Sequence, residues 1–334
     1  MDCCSHEGPS KGDAKFDIQK VADGVHVAVA APAYKVNCNT AIIESDDGVV
    51  IVDTHSKPSA ARLIVQELRG LTTKPVRYVV NTHFHWDHWH GNEVYPAAYP
   101  NAEIITNQIT REAMATKGLK RIQDHIRQGP GEIAQIKADL AAAGSGERRA
   151  QLADDLKQAE AYQAEVKALK PALPTMAFDR TMKLYRRDRE IHLLYLGRAH
   201  TEGDVFVYLP KEKVVATGDA LIDWMPFLND GYPEDWVQTL TALEKLRFDH
   251  IIPGHGNVSP RNQLGFFRGY LADLIAAVKK AAGEGASLDE MKKTIAEQLA
   301  PKYEGGMSKH PLGQYRDRVG LNVEMVYQKV VKKA

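Results

Sequence analysis

The sequence predicts an α/β fold on three observations. Short β-type runs recur along most of the chain, and four of them, at residues 76–80, 193–197, 214–217 and 250–252, lead into turns that carry histidine or aspartate. Segments with apolar residues every three or four positions, the pattern of one helix face, lie between and after these runs. At 334 residues the chain is long enough to bury a large core in one or two domains.

Taken in order, residues 16–18, 25–29 and 39–44 read as short strands, and Asp46-Asp47-Gly48 is the turn that pairs the last of them with 49–52 as a hairpin. Asp53 ends that strand ahead of Lys57-Pro58, a place from which an aspartate can cap a helix. The helix at 59–69 carries Ala61, Ile64, Val65 and Leu68 on one face, and Gly70 is expected to stop it.

Residues 81–92 concentrate the chemistry. His83, His85, Asp87 and His88 fall within six residues of one another, directly after the strand at 76–80. Imidazole and carboxylate donors without thiolate suit Zn²⁺, and also Fe or Mn. Alternation turns His83 and His85 to one side of an extended segment, while Asp87 and His88, after a turn, reach a second position a few Å away. A solvated polar loop would leave four closely spaced ligand-type residues unexplained. His90 is expected to support the others or to face outward rather than ligate.

A strand at 102–106 follows, and then residues 110–172 turn rich in Ala, Lys, Glu and Gln. Leu152, Leu156, Ala159, Val166 and Leu169 make an aliphatic stripe, with breakers at 129–131 and 144–146, so two or three helices are expected. This insertion would pack on the main body, close over the site as a lid, or serve as the arm of a homodimer. Asp124 and His125 within it read as surface or core residues. Strands resume at 178–184, 190–197, 204–209 and 214–217, and helices are expected at 236–246, 261–282, 287–299 and the C-terminus. Further ligand-type residues leave strand ends at His200, at Asp219 after Gly218, and at His255 within Pro253-Gly254-His255-Gly256. Trp224, Phe227, Tyr232 and Trp236, with Trp86 and Trp89, could wall an apolar substrate pocket, although aromatic residues also fill cores.

From about Val21 to His255 this arrangement resembles the metallo-β-lactamase-fold hydrolases. The resemblance implies a four-layer αβ/βα sandwich, one domain over 16–334 with a helical insertion at 110–172 and C-terminal helices, behind a polar tail at 1–15. It implies two metal ions, Zn²⁺ or alternatively Fe or Mn: His83, His85 and His200 on the first, Asp87, His88 and His255 on the second, and Asp219 across both. Asp53 would support the metal loop from behind. A metal-bridging hydroxide, oriented by Asp87 and Asp219, would cleave an ester, lactone, thioester or amide bond.

His85 stands where flavodiiron oxidoreductases have a carboxylate, and Asp219 where many classical metallo-β-lactamases have Cys or a small non-ligand residue, so the set resembles the glyoxalase II, lactonase and general hydrolase branches more closely. Ile222 stands where a Tyr assists in lactonases, and no glutathione-binding basic pattern is evident, so neither substrate is supported. The alternatives are β-lactam hydrolysis and, from another class, a mononuclear iron persulfide dioxygenase that ligates through two His and one Asp.

Lys plus Arg equals Asp plus Glu at 43 each, which removes the electrostatic footprint of a nucleic-acid binder and leaves a small molecule as the expected substrate. No apolar run reaches the roughly 18 residues of a bilayer span, so no membrane association is expected. Cys3, Cys4 and Cys38 lack metal-type spacing and read as free thiols. Residues 1–15 carry no apolar core of a secretory signal, which makes the cytoplasm the default; a periplasmic or secreted location would follow had a native signal been removed.

Overall fold

The structure, a computed structural model, describes residues 15–31, 38–306 and 315–333. Cys3, Cys4 and all of the expected polar tail but Lys15 lie outside the described residues.

β1 (Phe16–Ala22), β2 (Val25–Ala30), β3 (Thr40–Ser45) and β4 (Gly48–Val52) form an antiparallel meander, with Ser45 opposite Gly48 across the Asp46-Asp47 turn. α1 (Pro58–Leu71) crosses to β5 (Val76–Val80), parallel to β4. Two short helices, α2 (Trp86–Trp89) and α3 (Val94–Ala98), precede β6 (Glu103–Asn107). The helices α4 (Gln108–Ala113), α5 (Leu119–Ala142) and α6 (Glu147–Ala168), with a π-helical turn at Met114–Gly118, separate β6 from β7 (Met176–Phe178), the last strand of a seven-stranded sheet in simple sequence order.

The second sheet has six strands in the order β13-β12-β11-β10-β9-β8: β8 (Thr181–Tyr185), β9 (Glu190–Tyr195), β10 (Val205–Leu209), β11 (Val214–Gly218), β12 (His250–Pro253) and β13 (Ser259–Pro260). α7 (Pro233–Leu243) links β11 to the parallel β12. α8 (Asn262–Gly283), α9 (Leu288–Tyr303) and α10 (Tyr315–Val326) then cover its outer face.

The central strands, β3, β4, β10 and β11, are apolar on both faces because both faces are covered. On β4, Val50 and Val52 point into the core between the sheets, against Leu193, Val207, Val214 and Ile252 of the second sheet. Val49 and Ile51 point the other way, onto Ala61, Ile64 and Leu68 of α1. On the second sheet, Phe206, Val215 and Ile251 face Trp236, Phe267, Leu271 and Val323 of the outer helices. The result is the four-layer αβ/βα sandwich. Each fully buried Val, Leu or Ile contributes about 1.5–3 kcal/mol, so this alternation holds the strand ends that carry the site in fixed register.

Three local expectations change. Gly70 does not end α1; its position is open, the helix runs to Leu71, and the amide of Thr72 caps the carbonyl of Leu68. The run at 178–184 is two strands in different sheets, divided at the exposed Asp179-Arg180, with Phe178 paired to Asn107 and Thr181 to Leu194. Gly129-Pro130-Gly131 is no break: α5 runs through it, and only residues 143–146 interrupt the helical segment. Pro130 has no N–H for the carbonyl of Ile126, four residues earlier. Nε2 of the buried Gln163 on α6 donates to that carbonyl instead, at 2.9 Å. Gly129 lets the helices meet there, since a Cβ would lie 1.9 Å from the Gln163 side-chain oxygen.

The helical segment packs on the metal loop itself: Ala113, Met114, Ile122 and Val166 share a cluster with Phe84 and Trp89. Glu165 of α6 accepts from both the amide and the hydroxyl of Ser59 at the start of α1.

Candidate metal centre

Seven side chains from four segments that follow strands meet at one edge of the sandwich. The loop after β5 brings His83, His85, Asp87 and His88; His200 comes from the β9–β10 turn, Asp219 follows β11, and His255 follows β12. All are buried. Ligand atoms of His83, His85, His200 and Asp219 form one group lying within 4.8 Å of one another, and those of Asp87, His88 and His255 form a second. Asp219 faces both: its Oδ2 is 3.5 Å from His200 Nε2, and its Oδ1 is 3.3 Å from His88 Nε2 and 3.4 Å from His255 Nε2. Asp87 Oδ2 lies 3.2 Å from His255 Nε2. Glycine is required beside Asp219, because a Cβ on Gly254 would stand 2.0 Å from its Oδ1, and Gly218 adopts φ +50° with no room for a side chain against Thr82.

The donor set fits a metal. His83 Nε2, His88 Nε2 and Asp219 Oδ1 are buried and make no hydrogen bond of good geometry among the described residues. His85 Nδ1 and His200 Nε2 point at each other 2.9 Å apart. Buried polar atoms left this way are costly unless something else satisfies them, and a cation shared among them does so.

On four of the imidazoles the second nitrogen is engaged, which fixes ring orientation and directs the first nitrogen inward. His83 Nδ1 meets the Thr82 hydroxyl at 3.0 Å, His88 Nδ1 meets Asp53 Oδ2 at 2.7 Å, His200 Nδ1 meets the carbonyl of Phe227 at 3.1 Å, and His85 Nε2 meets Asp230 Oδ2 at 2.8 Å. Asp53 therefore supports the loop and does not cap α1, whose N-cap is Lys57. Arg121 of α5 donates to the same Asp230 oxygen at 2.7 Å. Asp230, the Phe227 carbonyl and Arg121 escape sequence reading, since each meets its partner more than 25 residues away and follows no local pattern.

Burial, reinforced by neighbouring imidazoles, holds His83 well below the usual histidine range and His200 down at about 3, so both present lone pairs. Burial works against ionised Asp87 and Asp219, yet His88 holds Asp87 at about 2 and His255 with His88 keeps Asp219 well below the usual carboxylate value. Against burial, Cys38 and the carboxylates of Asp219, Asp53 and Asp87 raise His88 well above the usual histidine range, and Asp219 with Asp87 raises His255 to about 9. These two rings would release protons on binding a metal, whose ligands are neutral imidazoles and ionised carboxylates.

The remaining sequence candidates fall elsewhere. His90 does not face outward; it is buried against Trp86 and Trp89. His125 meets the Tyr162 hydroxyl at 3.0 Å and the Trp86 ring, outside the ligand groups. Trp89 and Trp236 are core residues, their indoles donating to the carbonyls of Phe84 and Ala220, and do not wall a pocket. Phe227 lies beside His85 and His200, and Trp224 beside His255. Cys38, by contrast, is a buried free thiol whose sulfur lies within 4.8 Å of ligand atoms of Asp53 and His88, and no helix among the described residues is long and apolar enough to cross a membrane.

A two-sheet sandwich with a buried His/Asp metal-binding cluster at its edge defines a class, and the comparisons with known proteins agree with it. The family model described as Metallo-beta-lactamase superfamily matches residues 33–255, and the chain belongs to that family. It is 22% identical over 306 residues to a linear primary-alkylsulfatase of a Pseudomonas species, covering 86% of this chain and 54% of that protein. It is 23% identical over 220 residues to the alpha subunit of a 2,4-dinitroanisole O-demethylase of a Nocardioides species, covering 65% of this chain and 52% of that one. The chain thus spans about half the length of these relatives.

Two solved structures share the fold. A double mutant of the sec-alkyl sulfatase PisA1 has a TM-score of 0.63 at 20% identity over 94% of this chain and 50% of its own. A metallo-beta-lactamase from Pontibacter korlensis has 0.56 at 15% identity over 77% of this chain and 99% of its own. Family and site together mark the chain as an enzyme.

Proposed function

We propose that this enzyme is a dinuclear metal-dependent hydrolase that uses water to cleave an ester-type bond in a small molecule. The observation that carries the reading is the double facing of Asp219, with one carboxylate oxygen toward His200 and the other toward His88 and His255. His83, His85 and His200 would hold one ion, Asp87, His88 and His255 the other, and Asp219 both. Two such ions, zinc being the first choice for this donor set, would supply Lewis acidity that makes water a nucleophile near neutral pH and offsets charge developing on the substrate.

The protein's own groups do the rest. Asp87 and Asp219, both ionised and both beside His255, would accept hydrogen bonds from a water between them and aim its lone pair outward. Asp53, Thr82, Asp230 and the Phe227 carbonyl keep the imidazoles from turning. Phe227 and Trp224 offer one apolar surface beside each ligand group.

Alkyl sulfate esters stand first among the substrates, because two of the similar proteins bear that activity in their names; carboxylic esters, lactones, thioesters and amides, β-lactams included, follow. The test loads the chelator-treated protein with zinc, iron or manganese and assays each class by product release. Turnover that requires metal and vanishes in Asp219→Ala supports the reading. A single iron per chain with oxygen uptake on a persulfide and no hydrolysis would replace it with the dioxygenase.

A further inference from the structure

The turn at 227–231 supplies partners to two of the metal-facing imidazoles: the Phe227 carbonyl to His200 and the Asp230 carboxylate to His85. It is tied to the His200 loop by the amide of Tyr232, which donates to the Ala199 carbonyl at 2.8 Å. The turn is held from the far end of the chain. Lys329, on the π-helical segment Tyr327–Val331 that follows α10, directs its Nζ at three carbonyls, those of Leu228 (3.2 Å), Asn229 (2.6 Å) and Gly231 (2.8 Å). An ammonium has three N–H donors, so this set uses them all. The buried neighbours Val326 and Val330 anchor the segment in the outer core with Trp236 and Phe267, and Lys329 itself is half-buried.

We propose that Lys329 is a positioning residue of the metal centre: by fastening the carbonyls of Leu228, Asn229 and Gly231 to the segment after α10 it keeps the Phe227 carbonyl and the Asp230 carboxylate where they orient His200 and His85. This rests on the metal-dependent reading of the site. Arg121 grips the Asp230 carboxylate directly. Lys329 hydrogen-bonds neither that carboxylate nor an imidazole among its three contacts, so its effect passes through the backbone of the turn. Without the cation these carbonyls must turn toward water, and the two acceptors move with them.

The test compares the parent with Lys329→Met, Lys329→Gln, Lys329→Arg and, as a control on the same segment's exposed end, Lys332→Met. Two readouts are taken: imidazole tautomers of the metal-free protein by long-range ¹H–¹⁵N spectra, and affinity for zinc alone by competition with a chromophoric chelator. In the parent, Nδ1 of His200 and Nε2 of His85 are each expected to carry a proton, held by the Phe227 carbonyl and the Asp230 carboxylate. In Lys329→Met those two signals should broaden or mix while His83 and His88 keep theirs, and zinc affinity should fall about tenfold at one of the two positions. Lys329→Arg should restore both readouts, and Lys332→Met should change neither.

Parent-like tautomers and zinc affinity in Lys329→Met, even with a lower melting temperature, would overturn the proposal. Should Lys329→Met fail to fold, Lys329→Gln, which can donate to only some of the carbonyls, is judged by the same two readouts. A parent that takes up no zinc would instead overturn the metal reading, and the tautomer comparison would still decide the role of Lys329.

Discussion

The carboxylate of Asp53 supports two imidazoles at once: it accepts from His88 Nδ1 at 2.7 Å and from the hydroxyl of Thr82 at 2.7 Å, while that hydroxyl meets His83 Nδ1. Asp53 holds φ +64°, in the left-handed region that Asn and Asp tolerate best. Asp53→Asn should therefore keep the backbone and the bond from the Thr82 amide, but it sets an amide donor against an imidazole donor. Metal affinity is expected to fall about 10–100-fold with only a modest loss of melting temperature. A chelator competition titration that finds parent-like affinity would remove Asp53 from the support of the site.

Asp219→Ser keeps a small polar side chain next to Gly218 but removes the carboxylate shared by the two ligand groups. Turnover should fall by a factor of about 100 or more, well beyond any change in folded fraction, and the acidic limb of the pH–rate profile should move upward. A merely structural aspartate would give the opposite split: a lower melting temperature with activity per folded molecule preserved.

The Pro130–Gln163 pair gives a test that involves no metal. Gln163→Ala strips the Ile126 carbonyl of its donor, expected to cost about 1–3 kcal/mol. Pro130→Ala restores a backbone N–H four residues after Ile126, so the double variant should recover much of that loss. Denaturant melts of the four proteins measure the coupling, and strict additivity would show that Gln163 does not compensate for the proline.

The seven ligand-type residues were legible because they cluster in four short segments that follow strands, Asp87 and His88 on the short helix α2 among them, and strands of period two with glycine-rich turns can be read locally. The same locality explains what was missed. Asp230 lies 145 residues from His85 and Gln163 lies 37 from Ile126, and such partners are chosen by packing. Gly129-Pro130-Gly131 misled for the same reason: its local preference is to break a helix, and a side chain from α6 removes the penalty. Trp89 and His90 follow the metal loop directly, but the helices α4 to α6 that pack over the loop decide that both are buried. The aromatic residues after Asp219 divided between core and site in a way no periodicity could indicate.

Asp204 yields a pH prediction for the metal-free protein. Burial, opposed by hydrogen bonds from the Thr201 amide and hydroxyl, raises its carboxyl to about 7 from an ordinary 3.8. The folded state then binds the proton more tightly than the unfolded state, so this contribution is fully present below the unfolded value and is lost as pH rises through about 7. Asp204→Asn does not titrate and keeps an acceptor for Thr201. The stability of the parent minus that of the variant should decline between pH 4 and pH 8 by an amount on the order of 4 kcal/mol. A pH-independent difference would mean that Asp204 is ionised in the fold.

The paired centre is tested most directly by counting metal. The parent, loaded with zinc and freed of excess by gel filtration, is expected to carry two equivalents per chain by elemental analysis. His255→Ala should carry one, with the fold intact, since His83, His85, His200 and Asp219 would still hold the first ion. One equivalent in the parent, or two in His255→Ala, would contradict the paired centre.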